Sequence, residues 1–358
     1  TLSCDEMALY KKFEKELVAI AGGSPPDVLM VDRIRLAELV EAGFLQPLDP
    51  FMASDDFNPG IFYKAEYASC RYKGQTWSLP LPTGSLSLLY YNRTLLGDAG
   101  YDPDGAPKTW DEMLKMGLKL QRISADGRLE VSGGNISYFP RHRLAQMAYF
   151  NGASIFGPGS FDVNYLNERA REAADFVADY VSRVPPGGDF SAGTLAMVTH
   201  GEWQFYVFQQ QNPNLDQGIA LVPTGPNGTY QNIVAAAWSY GIPVGVRHPY
   251  ESWLLVKFLT TSDEGARMFV YEQGRPSPII RFTQDRRYWQ KNPFWSAIGD
   301  ALNGSIAIPG NPVAQKIIDA DIKWYGALHS GAESPESALL KLQDEVNAII
   351  ASYQAGER

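Results

Sequence analysis

Asp27-Val28-Leu29-Met30-Val31, followed at once by Asp32-Arg33, is a short apolar run of strand type that ends in an acid–base pair. Three more such runs, Leu86 to Tyr91, Gly218 to Val222 and Ser239 to Pro243, alternate with segments of helical spacing. That alternation is the α/β pattern, and it predicts parallel or mixed sheets. Caps mark the helices. Thr109-Trp110-Asp111-Glu112 is a capping box whose hydroxyl and carboxylate each satisfy an unpaired backbone N–H, and its helix should run to Leu120. Asn167 precedes Glu168 to Tyr180, where Ala170, Ala173, Ala174, Val177 and Tyr180 recur at helical spacing and predict one buried face. Ser334-Pro335-Glu336 opens a helix through Ser352, and Asn311-Pro312 opens another to Leu328. Gly- and Pro-rich breaks at Leu79 to Gly84, Val184 to Gly188 and Pro223 to Gly228 are too short for flexible interdomain linkers.

The chain has 358 residues, more than one hydrophobic core usually serves, so two lobes are expected. With 45% hydrophobic and 20% charged residues it has the composition of a folded soluble protein, and no apolar run approaches the roughly 20 residues that span a bilayer. Thirty-one basic against 40 acidic residues give a net charge of −9, the wrong sign for nucleic acid. No signal peptide is read, although a mature secreted chain has already lost that segment. Cys4 and Cys70 could form one bridge, but two buried thiols are the preferred reading. Thr1-Leu2-Ser3-Cys4 faintly resembles the end of a lipoprotein signal. The four histidines, His142, His200, His248 and His329, lack the spacing of a helical zinc site, and no nucleophile elbow, Walker loop or dinucleotide loop occurs. No metal and no cofactor are expected. A glycosidase needs only two carboxylates about 5 to 10 Å apart, so it stands as the enzyme alternative.

Further segments carry a family likeness: Gly22-Gly23-Ser24-Pro25-Pro26-Asp27-Val28, Val40-Glu41-Ala42-Gly43-Phe44-Leu45-Gln46-Pro47-Leu48-Asp49 and Tyr72-Lys73-Gly74-Gln75-Thr76-Trp77-Ser78-Leu79-Pro80. Leu89-Tyr90-Tyr91-Asn92, the Thr109 box and Phe190-Ser191-Ala192-Gly193-Thr194-Leu195-Ala196-Met197 with Gly201-Glu202-Trp203 continue it. Tyr240-Gly241-Ile242-Pro243 before Trp253-Leu254-Leu255-Val256-Lys257-Phe258-Leu259 completes it. In this order, over essentially the whole chain, they resemble the family 1 extracellular solute-binding proteins of ABC importers. The resemblance implies a two-lobed, type II periplasmic-binding-protein-like α/β fold, its lobes joined by hinge strands and closing around a ligand cleft. One lobe would comprise residues 1–85 and 239–306, the other 86–238 and 307–358, with crossings near Thr83 to Leu88, Trp238 to Tyr240 and Ala307 to Asn311. It further implies a monomeric, non-catalytic receptor on the periplasmic or extracellular face of the cytoplasmic membrane, in some members lipid-anchored. Such a receptor delivers a carbohydrate to the transmembrane permease subunits; a sensory sugar-binding protein would share the fold. Only 21 residues precede Gly22, where the family has a strand, a helix, a second strand and a loop. A missing segment near Glu16-Leu17 is therefore favoured over one continuous helix burying Tyr10, Phe13, Leu17 and Ile20.

Sugars present apolar C–H faces to aromatic rings and hydroxyls to planar polar groups, so exposed tryptophan near Asp, Asn and Arg is the chemistry to seek. Trp203 follows the Gly201-Glu202 turn where family members carry a cleft aromatic; the alternative is a core tryptophan beside Phe205 and Phe208. Trp238 stands at the second crossing after three alanines, as a ligand contact or as hinge packing. Asp32 and Arg33 occupy the C-terminal edge of a strand, where open α/β sheets place ligands, with a surface ion pair as the alternative. Thr83 and Ser85 in the first crossing offer hydroxyls. Tyr138, Arg141 and His142 at a helix start, Arg275 in a tight loop and Asn311 beside the third crossing complete the candidates. Ile318 falls near where maltodextrin-binding members have a cleft tryptophan, which argues against a maltose ligand.

Overall fold

The structure is a computed structural model that describes residues 15–81, 86–139, 141–234, 237–291 and 298–356. Ten strands run in chain order as β1 (Leu29–Asp32), β2 (Arg71–Tyr72), β3 (Gln75–Thr76), β4 (Ser78–Pro80), β5 (Ser87–Asn92), β6 (Arg122–Ile123), β7 (Leu129–Val131), β8 (Met197–Gly201), β9 (Gln217–Leu221) and β10 (Trp238–Gly241). They build two main sheets, ordered β1-β10-β4 and β8-β5-β9, and the two hairpins β2-β3 and β6-β7.

β5 is the most buried strand, with all six residues out of solvent, and its alternation decides what each face meets. Leu88 and Tyr90 enter a cluster with Phe190, Phe205 and Phe208, while Leu89 and Tyr91 enter one with Trp110, Met113 and Met147. In β1, Leu29 and Val31 pack on Leu36, Leu39 and Leu45. The chain leaves the first sheet after β4 and enters the second at β5, returns from β9 to β10, and departs again to helix Ala314–His329. That last helix buries Ile317 and Ile318 in the cluster beneath β5. The result is two α/β lobes.

The ladders differ from the expected parallel or mixed sheets. Both neighbours of β10 and both neighbours of β5 are antiparallel. β1 and β4 do run the same way, but the returning strand β10 inserts between them. Parallel pairing survives as single bridges, including Ser132 to Leu195 and Ile233 to Ile306.

The cap readings hold closely. Thr109 Oγ1 accepts the Glu112 N–H at 3.2 Å and Glu112 Oε2 accepts the Thr109 N–H at 3.3 Å, opening helix Trp110–Leu120. Asn167 caps helix Glu168–Arg183, and Ala170, Ala173, Ala174, Val177 and Tyr180 are all fully buried. Ser334 caps helix Pro335–Gln354. After Asn311-Pro312 the helix begins only at Ala314, with Asn311 Oδ1 accepting the Val313 N–H at 2.8 Å. Residues 15–21 are helical without interruption through Glu16 and Leu17. Leu17 and Ile20 pack against the Leu29 cluster, as the continuous stripe requires; Tyr10, Phe13 and Cys4 lie outside the described residues. Cys70 is a buried thiol, and burial raises its pKa.

A carboxylate positions the candidate site. Asp321, fully buried in helix Ala314–His329, accepts the N–H groups of Arg143, Leu144 and Ala145 at 2.7, 2.9 and 3.0 Å and the Tyr165 hydroxyl at 2.9 Å. A charge among unpaired helix-start N–H groups is a favourable arrangement. It pins the turn that carries Arg141 and His142.

Candidate functional site

Asp32 ends β1 with its carboxylate turned towards the second lobe. It is 4% exposed, accepts the Ile34 N–H through Oδ1 and forms an ion pair with Arg141 through Oδ2. Burial raises its pKa, against the opposing pull of the Arg141 guanidinium and the Ile34 N–H. Arg141 has φ 64°, a left-handed conformation that costs a non-glycine residue about 1 kcal/mol or more and that clusters at binding sites. Two predicted site residues thus meet across the gap between the lobes.

Arg33 goes elsewhere, into a buried ion pair, which corrects its reading as a surface-paired group. Its Nη1 donates to Glu66 Oε2 at 2.7 Å and to Ser69 Oγ at 2.8 Å, and its Nε to the Trp238 carbonyl at 3.1 Å. Both side chains of the Arg33–Glu66 pair are only 1% exposed. Asp32 closes β1 and caps the one-turn 3-10 helix Arg33–Arg35, so the chain turns between the two residues and their side chains take different directions. Trp238 is half-buried, and its carbonyl also accepts the Leu81 N–H at 3.1 Å, so its backbone ties the crossing together.

Trp203 separates from the core that was its alternative. Phe208 packs on Tyr90 at 5.4 Å and on Phe190 at 4.6 Å. Trp203 stays half-buried at the start of helix Gln204–Gln211, edge-to-face with His200 at 5.5 Å and with Tyr138 at 6.4 Å. The indole lies over Gly201, where an added Cβ would stand 2.0 Å from the ring. Only glycine allows that fold-back. Tyr138 stacks on His200 at 4.2 Å and 16°, and carries the Arg143 guanidinium 5.5 Å from its ring centre.

His142 is 1% exposed, and neither ring nitrogen has a hydrogen-bond partner among the described residues. Burial pushes its pKa down to about 4. It lines a small pocket with Phe156, Ser160, Pro309 and Asn311. A second small pocket lies beside Arg33, Ser69, Tyr72 and Gly310, and the two share Asn311 and Ala314. Asn311 itself is 6% exposed and donates to the Ser160 carbonyl at 2.6 Å. Arg275 lies over the Phe269 ring at 5.5 Å, with Nε buried and unpartnered among the described residues. Burial lowers its pKa, and the Glu202 charge acts the other way. Glu202, 3% exposed, accepts the Leu86 N–H at 3.2 Å. Thr83 and Ser85 lie outside the described residues. Ile318 is fully buried in the second lobe and offers the cleft no ring.

The structure therefore joins Asp32 with Arg141, Tyr138 with Trp203, and His142 with Asn311. Sequence reasoning missed His200, Glu202 and Phe156. His200 and Glu202 flank Gly201 directly before Trp203, a signal that was available. Phe156 had none. Among the described residues no three His, Cys, Asp or Glu side chains gather to hold a metal ion.

Comparison with known proteins supports the two-lobed fold. A putative binding protein of Brucella abortus is 23% identical over 357 residues, covering 94% of this chain and 82% of its own. The ABC substrate-binding protein of Listeria monocytogenes in complex with cycloalternan superposes with a TM-score of 0.80 at 21% identity, covering 95% of this chain and 88% of its own. The sugar-binding protein MalE of Xanthomonas citri gives 0.79 at 21% identity, over 97% and 89%. The profile of the bacterial extracellular solute-binding proteins matches residues 9–266, and the chain belongs to that family.

Proposed function

We propose that the protein binds a carbohydrate between its two lobes and delivers it to the membrane permease of an ABC importer. As a member of an extracellular solute-binding family it acts outside the cytoplasm. The lobes are read as residues 1–85 with 239–306, and 86–238 with 307–358. The observation that carries the reading is the wall made by Trp203, Tyr138 and His200, set three residues from an Arg141 that reaches across to Asp32. Such a site offers a sugar what it needs, a flat apolar surface for its C–H face and a planar carboxylate and guanidinium for paired hydroxyls. Two of the similar proteins are a sugar-binding protein and a complex with cycloalternan, which supports the class of ligand.

The Asp32–Arg141 pair links the end of β1 to the turn before helix Leu144–Phe150. A sugar entering the cleft takes over these groups, exchanging one set of charge-assisted contacts for another. Closure then depends on the differential affinity of solute for the closed form. A thermal-shift screen over neutral oligosaccharides, with amino acids as controls, tests the reading. A sugar at 100 times its dissociation constant should stabilise by about 2.7 kcal/mol. Stabilisation by amino acids alone would reject the carbohydrate assignment, and sugar breakdown during the assay would reject the non-catalytic one.

A further inference from the structure

His200 is held more tightly than a wall residue needs to be. Its Nδ1 accepts the Gly201 N–H at 2.9 Å, so in the neutral ring the proton lies on Nε2. The ring plane is held by its stack on Tyr138, whose ring centre lies 5.5 Å from the Arg143 guanidinium. Trp203 meets it edge-to-face from the side. Nε2 has no partner among the described residues and is not sealed from solvent.

We propose that His200 is a solute-binding residue that presents Nε2–H as a preset donor to one oxygen of the bound molecule, with Tyr138 and Arg143 as positioning residues behind it. The inference rests on the reading of the cleft as the solute site and adds a specificity element to it. A donor without acceptor capacity demands a lone pair at one point, so it selects a ligand with a hydroxyl, ring or carbonyl oxygen there and rejects the analogue lacking it. Burial, which lowers the His200 pKa to about 4, keeps the ring uncharged at neutral pH.

Two measurements test this. Long-range ¹H–¹⁵N correlation on the labelled, ligand-free protein at neutral pH should show His200 as the Nε2–H tautomer; an Nδ1–H or averaged signature overturns the proposal. Titration calorimetry with the neutral oligosaccharide that gives the largest thermal shift, maltotriose and cycloalternan being among those screened, then reads the contact. His200→Phe keeps the stack and loses the N–H, and should weaken binding about tenfold, whereas His200→Gln, with an amide N–H in reach, should recover most of it. Arg143→Met should weaken binding in the wild type and have no further effect beside His200→Phe, a coupling that a merely structural arginine would not show. Unchanged affinity in folded His200→Phe overturns the assignment. A wild type that binds no sugar ends the carbohydrate reading instead, and the tautomer signature then judges His200 alone.

Discussion

Asp32 and Arg33 are neighbours in sequence, yet they serve two buried ion pairs of opposite kinds. Arg33 turns inward to Glu66 and stays within the first lobe, both partners 1% exposed. Asp32 turns outward to Arg141 on the second lobe, the side chains 6% and 15% exposed. Breaking the inward pair strands a charge in the interior of the first lobe, where neither partner is more than 1% exposed. Breaking the outward pair lets the lobes part and water reach Asp32. One dipeptide thus supplies a rivet to the frame and a latch to the cleft. What separates them is whether the counter-charge belongs to the same rigid body.

The largest effect should come from the rivet. Glu66→Ala leaves the Arg33 guanidinium buried without its counter-charge and should cost about 3 to 5 kcal/mol in urea unfolding. A loss under about 1 kcal/mol, the range of exposed pairs, would erase the contrast.

Acid should act next, on the side of the latch. The His142 pKa falls to about 4 on folding, against about 6.5 in an unfolded chain. Between those values the unfolded chain holds more protons, so the contribution is complete above pH 6.5 and is lost as pH drops towards 4, a matter of about 3 kcal/mol. His200 is lowered in the same way, whereas the raised pKa of Asp32 works in the opposite sense, its share falling as pH rises through that pKa. Unfolding midpoints at pH 7, 5.5 and 4 should decline steadily, and more shallowly in His142→Phe. Equal slopes in both proteins would remove His142 from the account.

Trp203→Ala comes third. Loss of its stacking surface should weaken sugar binding by about 2 kcal/mol, some 30-fold, with the fold intact. A core tryptophan would instead cost about 3 to 5 kcal/mol of stability, so a mutant that fails to fold would return Trp203 to the interior. The smallest effect sharpens the comparison most. Arg141→Ala should cost about 1 kcal/mol of stability and enlarge the ligand-free radius of gyration in small-angle scattering, while folded Glu66→Ala leaves that radius unchanged. Equal radii in all three proteins would mean that the latch holds nothing.

Local chemistry was legible in the sequence and long-range pairing was not. The caps at Thr109, Asn167 and Ser334 are written within four residues, and their geometry matches. Trp203 could be singled out because its Gly-Glu turn is local too. Arg33 could not be assigned, because its partner lies 33 positions away and nothing in Asp-Arg says which residue turns inward. Arg141 answers Asp32 over 109 positions, and Asp321 caps Arg143, Leu144 and Ala145 from 176 to 178 away. The antiparallel ladders were missed for a related reason. Strand-like runs alternating with helices look alike whether the returning strand lies beside its neighbours or between them.

A crystal structure with whichever sugar stabilises the protein most tests the central claim directly. The account predicts a sugar between the lobes, one ring face over the Trp203 indole and a hydroxyl on the Asp32 carboxylate in place of, or shared with, Arg141. Sugar bound elsewhere, or in the cleft with Trp203 and Asp32 both untouched, would contradict it.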